Sequence, residues 1–214
     1  MPPTSAIFLD VANTLLHKPA LYPAIGKVLA DAGIDVPEAL LANRHRLLSE
    51  AIAFPDRTSR AFYEQFNAQL LRALGVAAQP ELLDALYAAC SYLPWAPFPD
   101  VACLESLAPP LGALSNWDRS LPEKLEPLTG LTFHWILGSE EQQVRKPDLA
   151  FFQKVLDTTG LPAREVVYVG DSVMLDVEPA RKMGMRAYLI DRDDLYPHGN
   201  LPRLRSFAEL GAVL

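Results

Sequence analysis

Polar residues that could take part in chemistry follow predicted strands at four places in the chain. They are Asp10, the pair Ser115 and Asn116, Lys146, and Asp171 with Asp176 five residues later. Carboxylates can attack a substrate or bind a hard cation, and a lysine can balance the charge of an anion. Each residue alone also has an ordinary structural explanation, because Asp caps helices and Ser-Asn pairs form turns. Together they indicate a site if the fold brings them to one edge of a sheet.

The strands that would position these residues are short apolar runs. The first run, residues 5–9, is almost continuously apolar and ends directly before Asp10, which is typical of a buried parallel strand. Later apolar runs alternate with amphipathic segments, and these runs are residues 111–115, 133–137, 165–169 and 186–190. Strands that alternate with helices predict βαβ units and a parallel sheet between helical layers. Ligands bind at the carboxyl edge of such sheets.

A long helical segment separates the first strand from the later ones. Leu, Ala and Arg recur at helical spacing from about Pro19 to Cys90, which predicts about four helices and no strand. This segment is much longer than a normal βα loop of about 2 to 6 residues. We therefore predict a Rossmann-like three-layer α/β core with a parallel sheet, formed by residues 1–16 and 93–214. Residues 17–92 are predicted to form an inserted α-helical domain over the carboxyl edge of the sheet.

Composition and charge narrow the classes of partner. The chain has 214 residues, 50% of them hydrophobic, which is typical of a globular protein with a sizeable core. Its 26 acidic and 19 basic side chains give a net charge of −7, which argues against nucleic acid and anionic membranes as partners. No apolar run is long enough for a membrane span, and the first residues lack the pattern of a secretion signal. We therefore expect a cytoplasmic protein, and the sequence does not predict its oligomeric state.

Other conspicuous residues are more simply explained by packing or solvation. Cys90 and Cys103 lack the spacing of a zinc site or a CxxC motif and are expected to be free thiols. Basic residues at 44–46, and Arg203 with Arg205, predict solvated faces. Aromatic residues of the cap are spaced to pack one helix against another, and these are Phe54, Phe62, Tyr63 and Phe66.

The four groups of polar residues, in this order, resemble the motifs of the haloacid dehalogenase superfamily. The matching segments are Asp10-Val-Ala-Asn-Thr, Ser115-Asn116, Lys146, and Gly170-Asp171-Ser172 with Asp176. The helical insertion resembles the cap domain of that family, which lies between the first and second motifs. Within the superfamily, the segments Ser-Asn-Trp-Asp-Arg and Arg-Lys-Pro-Asp are most similar to the haloacid dehalogenase-like hydrolase domain-containing proteins.

The resemblance implies a Mg²⁺-dependent phosphatase that acts on a small phosphorylated molecule. Asp10 would attack phosphorus and form an aspartyl-phosphate, which divides a difficult hydrolysis into two easier steps. Lys146 would balance negative charge on the nucleophile and on the transferring phosphoryl group. The family places the metal ion between the carboxylates of Asp10 and Asp171 and the backbone carbonyl of Ala12.

The resemblance also implies supporting roles for the remaining polar residues. Thr14, Ser115 and Asn116 would bind the substrate, and Asn116 would also help to orient its own loop. Asp176 would support Lys146 or a metal-bound water rather than bind the ion directly. Ser172 would likewise support the residues that contact the ion or the substrate, without contacting either directly.

One position departs from the pattern of the phosphatases in this family. They carry a second Asp two residues after the nucleophile, which acts as general acid and base, whereas this chain has Ala12. A backbone carbonyl can still reach the metal, so the change removes proton transfer and leaves the metal site. General acid–base catalysis contributes about 10² to 10⁴-fold, or about 3 to 5 kcal/mol of the barrier. We expect the loss to be greatest for substrates with poor leaving groups.

Alternatives to an ordinary phosphatase follow from Ala12. The protein could be a slow phosphatase that uses activated esters or a borrowed proton donor such as His17. Carbon–phosphorus hydrolases of the superfamily have alanine here but need a cap lysine, for which the chain offers Lys27 and, at the cap edge, Lys18. A dehalogenase is disfavoured by the intact fourth motif. A phospho-ligand or partner-binding module without catalysis is disfavoured by the retention of Asp10 and Lys146.

Overall fold

The strands form one parallel sheet and a separate antiparallel pair. The computed structural model of the chain describes residues 3–52, 54–55 and 57–214. Within these residues the strands are β1 (Ala6–Leu9), β2 (Leu16–His17), β3 (Ala96–Pro97), β4 (Leu111–Ser115), β5 (Trp135–Gly138), β6 (Val166–Gly170), β7 (Arg186–Ile190) and β8 (Arg203–Leu204). Six of them form a sheet in the order β5-β4-β1-β6-β7-β8, and every neighbouring pair is parallel. The strands β2 and β3 pair antiparallel.

The register of the central strands brings their carboxyl ends together. All of β1 is buried, and its last residue, Leu9, lies beside Ala113 of β4 and Val169 of β6. Parallel neighbours end at the same edge of a sheet, so the residues that follow β1, β4 and β6 are neighbours in space. This register places Asp10, Ser115 and Asp171 at one edge of the sheet.

The helices fall into two groups along the chain. Between β2 and β3 the described residues form α1 (Leu21–Asp31), α2 (Glu38–Ala51), α3 (Arg60–Ala73) and α4 (Pro80–Cys90). The later helices are α5 (Leu121–Thr129), α6 (Ser139–Gln142), α7 (Leu149–Thr159) and α8 (Glu178–Lys182). Local sequence sets the limits of α7, because the Asp148 carboxylate accepts from the N–H of Ala150 at 2.9 Å and Gly160 takes the left-handed conformation with φ 68°. The buried face of α7, with Phe151 and Phe152, packs on the sheet.

The fold-class prediction is confirmed, because a six-stranded parallel sheet carries the later helices and a helical segment interrupts it after β1. The chain divides into two compact units, one formed by Met1–His17 with Ala96–Leu214 and the other by Lys18–Trp95. We call them the core unit and the helical unit. The predicted domain limits, and the function of the insertion as a cap, stay predictions. Among the described residues, no helix has both the length and the apolar character that a membrane crossing requires.

The helical unit has its own apolar core. Leucine and isoleucine side chains from all four helices are buried in it, and these are Ile25, Leu29, Leu41, Leu70, Leu71 and Leu86. The aromatic packing predicted from the sequence is present, with ring centroids of Phe54 and Phe62 4.8 Å apart and of Phe54 and Phe66 5.1 Å apart. His45 departs from the predicted solvated face, because its ring stands edge-on to Tyr22 and Phe66, and its Nδ1 atom is buried.

The end of the chain also differs from the sequence-based expectation. Arg203 lies on the short edge strand β8, and its Nη1 atom is 2.8 Å from a carboxylate oxygen of the buried Asp191 and 3.0 Å from one of Asp194. The prediction of a solvated face is therefore wrong for Arg203, whose side chain is 21% exposed, although Arg205 is 48% exposed. A two-residue strand has too little periodicity to be recognised from the sequence.

Candidate active site

The site begins with three polar residues at the ends of neighbouring strands. Asp10 follows β1, is 4% exposed, and donates its backbone N–H to the carbonyl of Val169 in β6 at 2.9 Å. Ser115 ends β4, and its hydroxyl donates to Oδ1 of Asp10 at 3.2 Å. Asp171 follows β6 on the other side of β1. Asp10 therefore meets two residues that are more than a hundred positions away in the sequence, at the carboxyl edge of the sheet.

Lys146 lies between two buried carboxylates. Its Nζ atom is 2.5 Å from Oδ1 of Asp10 and 2.7 Å from Oδ1 of Asp176. The side chains of the lysine and the two aspartates are at most 6% exposed. Water therefore screens these charges weakly, and the lysine is the cation that allows the two carboxylates to be buried next to each other.

The pKa values follow from this arrangement. Burial lowers the pKa of Lys146, but the Asp10 and Asp176 carboxylates outweigh burial and raise the pKa above its usual range, so the amine stays charged. For Asp176, burial raises the pKa to about 6, although the charge of Lys146 acts in the opposite direction. Lys146 is consequently a permanent positive charge in contact with the carboxylate of Asp10.

Asn116 holds the backbone of Lys146. The amide oxygen of Asn116 accepts from the backbone N–H of Lys146 at 2.8 Å, and the amide nitrogen donates to the backbone carbonyl of Lys146 at 3.0 Å. Two hydrogen bonds in opposite senses fix both the position and the direction of that peptide segment. The predicted orienting role of Asn116 is thus directed at the lysine, and its predicted role in substrate binding stays a prediction.

A π-helical turn after β6 positions Asp176. Residues Val173–Val177 form a single π-helical turn, a feature that is frequent at functional sites. The backbone N–H of Ser172 donates to Oδ2 of Asp176 at 3.1 Å, and the Ser172 hydroxyl accepts from the N–H of Leu175 at 2.9 Å. Gly170 is needed for this close approach, because a Cβ atom there would overlap the Asp176 carboxylate. The glycine of the fourth motif is therefore explained by the space that this carboxylate occupies.

The loop after Asp10 folds back on itself. Ala12 makes an isolated parallel bridge with Leu16, and Asn13 has the left-handed φ of 60°. The next residue, Thr14, is fully buried, and its hydroxyl lies 3.4 Å from Oδ1 of Asp171. The loop that contains Ala12 therefore runs alongside the fourth motif.

The carboxylates of this site fit a divalent cation. One oxygen from each of Asp10, Asp171 and Asp176 lies within 4.8 Å of the others, which is close enough for a shared ion. Both oxygens of Asp176 already accept hydrogen bonds, from Lys146 at one atom and from the Ser172 backbone at the other. Asp176 therefore uses both of its oxygens in hydrogen bonds within the site, and the assignment of Asp10 and Asp171 as the metal ligands stays a prediction.

The structure thus brings every sequence-predicted site residue into one connected region. These residues are Asp10, Ala12, Thr14, Ser115, Asn116, Lys146, Asp171, Ser172 and Asp176. Tyr168 also belongs to this region and was missed, with its hydroxyl 2.9 Å from Oδ1 of Asp176 and 3.5 Å from Nζ of Lys146. A hydroxyl inside an apolar strand was the available signal, because a buried tyrosine needs a hydrogen-bond partner.

His17 is poorly suited to replace the missing general acid. Its ring stacks on Phe98 with centroids 4.1 Å apart. Burial and, secondly, the charge of Arg192 lower the pKa of His17, so the neutral form dominates near neutral pH. The hypothesis that His17 donates a proton to the leaving group is therefore disfavoured.

Comparisons with known proteins identify the family of the chain. A family model described as haloacid dehalogenase-like hydrolase matches residues 4–184, which include all the site residues. The chain belongs to the haloacid dehalogenase-like hydrolase family. Membership confirms the resemblance seen in the motifs and the prediction of a hydrolase.

Two curated relatives and one solved structure illustrate the likeness. Haloacid dehalogenase-like hydrolase domain-containing protein 3 of Danio rerio is 41% identical over 108 residues, which cover 48% of this chain and 45% of that protein. This match therefore spans less than half the length of that relative. Phosphoglycolate phosphatase of Yersinia pestis is 32% identical over 174 residues, covering 78% of this chain and 72% of that enzyme. The HAD-hydrolase YfnB of Bacillus subtilis shares the fold, with a TM-score of 0.64, 19% identity and 99% coverage of both chains.

Proposed function

We propose that this hydrolase is a Mg²⁺-dependent phosphohydrolase that acts on a small phosphorylated molecule through an aspartyl-phosphate on Asp10. The observation that carries the proposal is the buried contact of 2.5 Å between Lys146 and Asp10, with Asp171 on the neighbouring strand end. A site that only bound phosphate would have no need for a carboxylate there, because its negative charge repels a phosphate dianion. The relative named phosphoglycolate phosphatase supports a phosphate ester as the substrate class.

The charges of the site suit attack by a carboxylate on phosphorus. Lys146 stays protonated and offsets the charge of the nucleophile, so the approach of a phosphate dianion to Asp10 is less unfavourable. The Ser115 hydroxyl, which lies 3.2 Å from Oδ1 of Asp10, would donate to a phosphoryl oxygen beside the attacking atom. Because Asn116 and Asp176 fix Lys146 from its two ends, these charges need little rearrangement during the reaction.

The proposed reaction has two displacements at phosphorus. An oxygen of Asp10 forms a bond to phosphorus while the bond to the leaving oxygen breaks, and the leaving group departs with that electron pair. Water then attacks the phosphorus of the aspartyl-phosphate, the bond to Asp10 breaks, and inorganic phosphate leaves. The leaving oxygen takes up a proton and the attacking water gives one up, and Ala12 can do neither.

Mg²⁺ would be held by the carboxylates of Asp10 and Asp171 and by the backbone carbonyl of Ala12. When bound, it supplies positive charge to the phosphoryl oxygens and orients the phosphate towards the nucleophile. Thr14 and Asp176 would support this set of ligands, since the first contacts Asp171 and the second contacts Lys146. The role in substrate binding that the sequence predicts for Thr14 stays a prediction.

We propose that the preferred substrates have good leaving groups, because Ala12 cannot donate a proton to the leaving oxygen. A leaving oxygen that departs without a proton must be the conjugate base of a fairly strong acid, so activated esters should react much faster than alkyl phosphates. We also propose that residues 17–92 act as the cap domain that selects the substrate, since helices α1–α4 enter the chain between the first and second motifs.

The test is phosphate release from an activated aryl phosphate and from a panel of phosphorylated metabolites, with Mg²⁺ and with a chelator. The variant Asp10→Asn removes the nucleophile. The matched control is Asp157→Asn, because Asp157 is exposed on α7 and bonds only to Gln153 among the contacts that the structure describes. We expect chelator-sensitive turnover in the native protein and the control, and a loss of at least about a thousandfold in Asp10→Asn.

Three results would contradict the proposal. Turnover that survives Asp10→Asn would show that the reaction does not pass through an aspartyl-phosphate on Asp10. Turnover that survives the chelator would show that the reaction does not need Mg²⁺. A folded native protein that binds Mg²⁺ without releasing phosphate from any substrate would instead support a binding module.

A further inference from the structure

Arg192 is a largely buried guanidinium that links separate segments of the core unit. It lies two residues beyond β7, and its side chain is 16% exposed. Its Nε atom donates to both oxygens of Asp100, at 3.2 and 3.1 Å, and its Nη2 atom donates to one of them at 2.9 Å. The rings of Phe98 and Phe207 lie 4.0 and 5.1 Å from the guanidinium carbon. This environment holds the guanidinium plane in one orientation.

The other side of this guanidinium faces the loop that follows Asp10. Nη2 of Arg192 donates to the backbone carbonyl of Thr14 at 3.0 Å, and Nη1 lies 3.5 Å from the carbonyl of Asn13. Asn13 has a φ of 60°, which a non-glycine residue keeps only where its surroundings hold it. Thr14 in turn places its hydroxyl 3.4 Å from Oδ1 of Asp171. A continuous set of contacts therefore runs from Arg192 through the loop to a carboxylate of the site.

Only a guanidinium can make all of these contacts at once. The planar fork presents donors to Asp100 on one side and to two successive carbonyls on the other, whereas an ammonium is a single point of charge. Asp100 is itself fixed, because the backbone N–H of Phe207 donates to its second oxygen at 2.9 Å. The charge of the pair is thus balanced, and its geometry is set by segments outside the site.

We propose that Arg192 is a positioning residue that shapes the metal site through the backbone of Asn13 and Thr14. By holding these carbonyls it keeps the turn at residues 11–14 closed, with the Ala12 backbone and the Thr14 hydroxyl on the side of Asp171. The proposal rests on the function proposed above in one respect, since it takes Mg²⁺ to be the ion of the site.

The test compares Arg192→Lys with Arg203→Lys by calorimetric titration of the folded proteins with magnesium chloride. Arg203 is the matched control, because it is also a partly buried arginine in a carboxylate pair, and its described contacts are with Asp191, Asp194 and Pro197 rather than the loop. We expect the dissociation constant for Mg²⁺ to rise by about 10-fold or more in Arg192→Lys and to stay at its native value in Arg203→Lys. An effect of this size is typical of substitutions at residues that orient metal ligands without binding the metal themselves. Thermal unfolding of both variants reports purely structural damage.

A second variant keeps the test decisive if Arg192→Lys does not fold. Asp100→Asn retains the shape of the partner but weakens its hold on the guanidinium, so it should weaken Mg²⁺ binding in the same direction and to a smaller extent. Native Mg²⁺ affinity in folded Arg192→Lys or Asp100→Asn, or an equal loss in Arg203→Lys, would overturn the proposal, as would a native protein that does not bind Mg²⁺. A native protein that binds Mg²⁺ but releases no phosphate would refute hydrolysis alone, and the titrations would still decide the role of Arg192.

Discussion

His45 should make the stability of the protein depend on pH. Its ring centroid lies 5.5 Å from that of Tyr22 and 5.1 Å from that of Phe66, and its Nδ1 atom is buried without a hydrogen-bond partner among the described residues. Burial and, secondly, the charge of Arg46 lower the pKa of His45 from 6.5 to about 4. The imidazole is therefore neutral in the folded protein at a pH where it is charged in the unfolded chain.

The magnitude follows from the difference between the two pKa values. At about 1.4 kcal/mol for each factor of ten, a pKa that falls from 6.5 to about 4 corresponds to about 3 kcal/mol of unfolding free energy. Because the folded-state pKa is the lower one, the stability is complete above about pH 6.5 and is lost as the pH falls towards about 4. The variant His45→Leu lacks the titrating group and should not show this loss.

Urea denaturation at about pH 7.5 and about pH 4.5 measures the effect. Other groups also titrate in this range, so the quantity to compare is the fall in unfolding free energy between the two pH values. We expect the fall to be about 2.5 kcal/mol larger in the native protein than in His45→Leu. The control His134→Leu, at an exposed position, should fall as the native protein does. An equal fall in all three proteins would refute the argument from burial.

Two further pairs of variants test the site. Lys146→Met should lower the unfolding free energy by about 3 to 5 kcal/mol, because two buried carboxylates lose their shared cation, whereas Lys154→Met on the exposed face of α7 should change it by less than about 0.5 kcal/mol. Gly170→Ala should lower the unfolding free energy by about 1 to 3 kcal/mol, because the new methyl group overlaps the Asp176 carboxylate. Gly26→Ala should raise the unfolding free energy by about 0.5 to 1 kcal/mol, because the new methyl group meets open space in α1. Urea denaturation measures both pairs, and equal effects within a pair would contradict the contacts described.

Much of the site was predictable because its residues follow apolar strands. Buried parallel strands are nearly continuous apolar runs, so the first polar residue after each run marks the edge where ligands bind. This reasoning located Asp10, Ser115, Lys146 and Asp171, and the resemblance to the family then suggested the role of each. The order of the motifs along the chain also agreed with a sheet in which β4 and β6 flank β1.

Other features could not be predicted, because their causes are distant in the sequence. His45 lies among basic residues, which predicted a solvated helix face. Only the packing of α1 and α3 around its ring shows that the ring is buried. Arg192 contacts Thr14 across 178 positions, and nothing near either residue indicates the pair. The strand β8 is two residues long, too short for any periodic signal.

The sequence by itself therefore determined which residue types stand at the ends of the strands, and with them the family and the class of reaction. That information is local, because an apolar run and the polar residue after it are adjacent in the chain. Only the tertiary structure decided how these groups are charged and held: Lys146 between two carboxylates, Asn116 on its backbone, and Asp176 in the space that Gly170 leaves. Ionisation and orientation depend on burial and on neighbours from other strands, and these exist only once the sheet has formed.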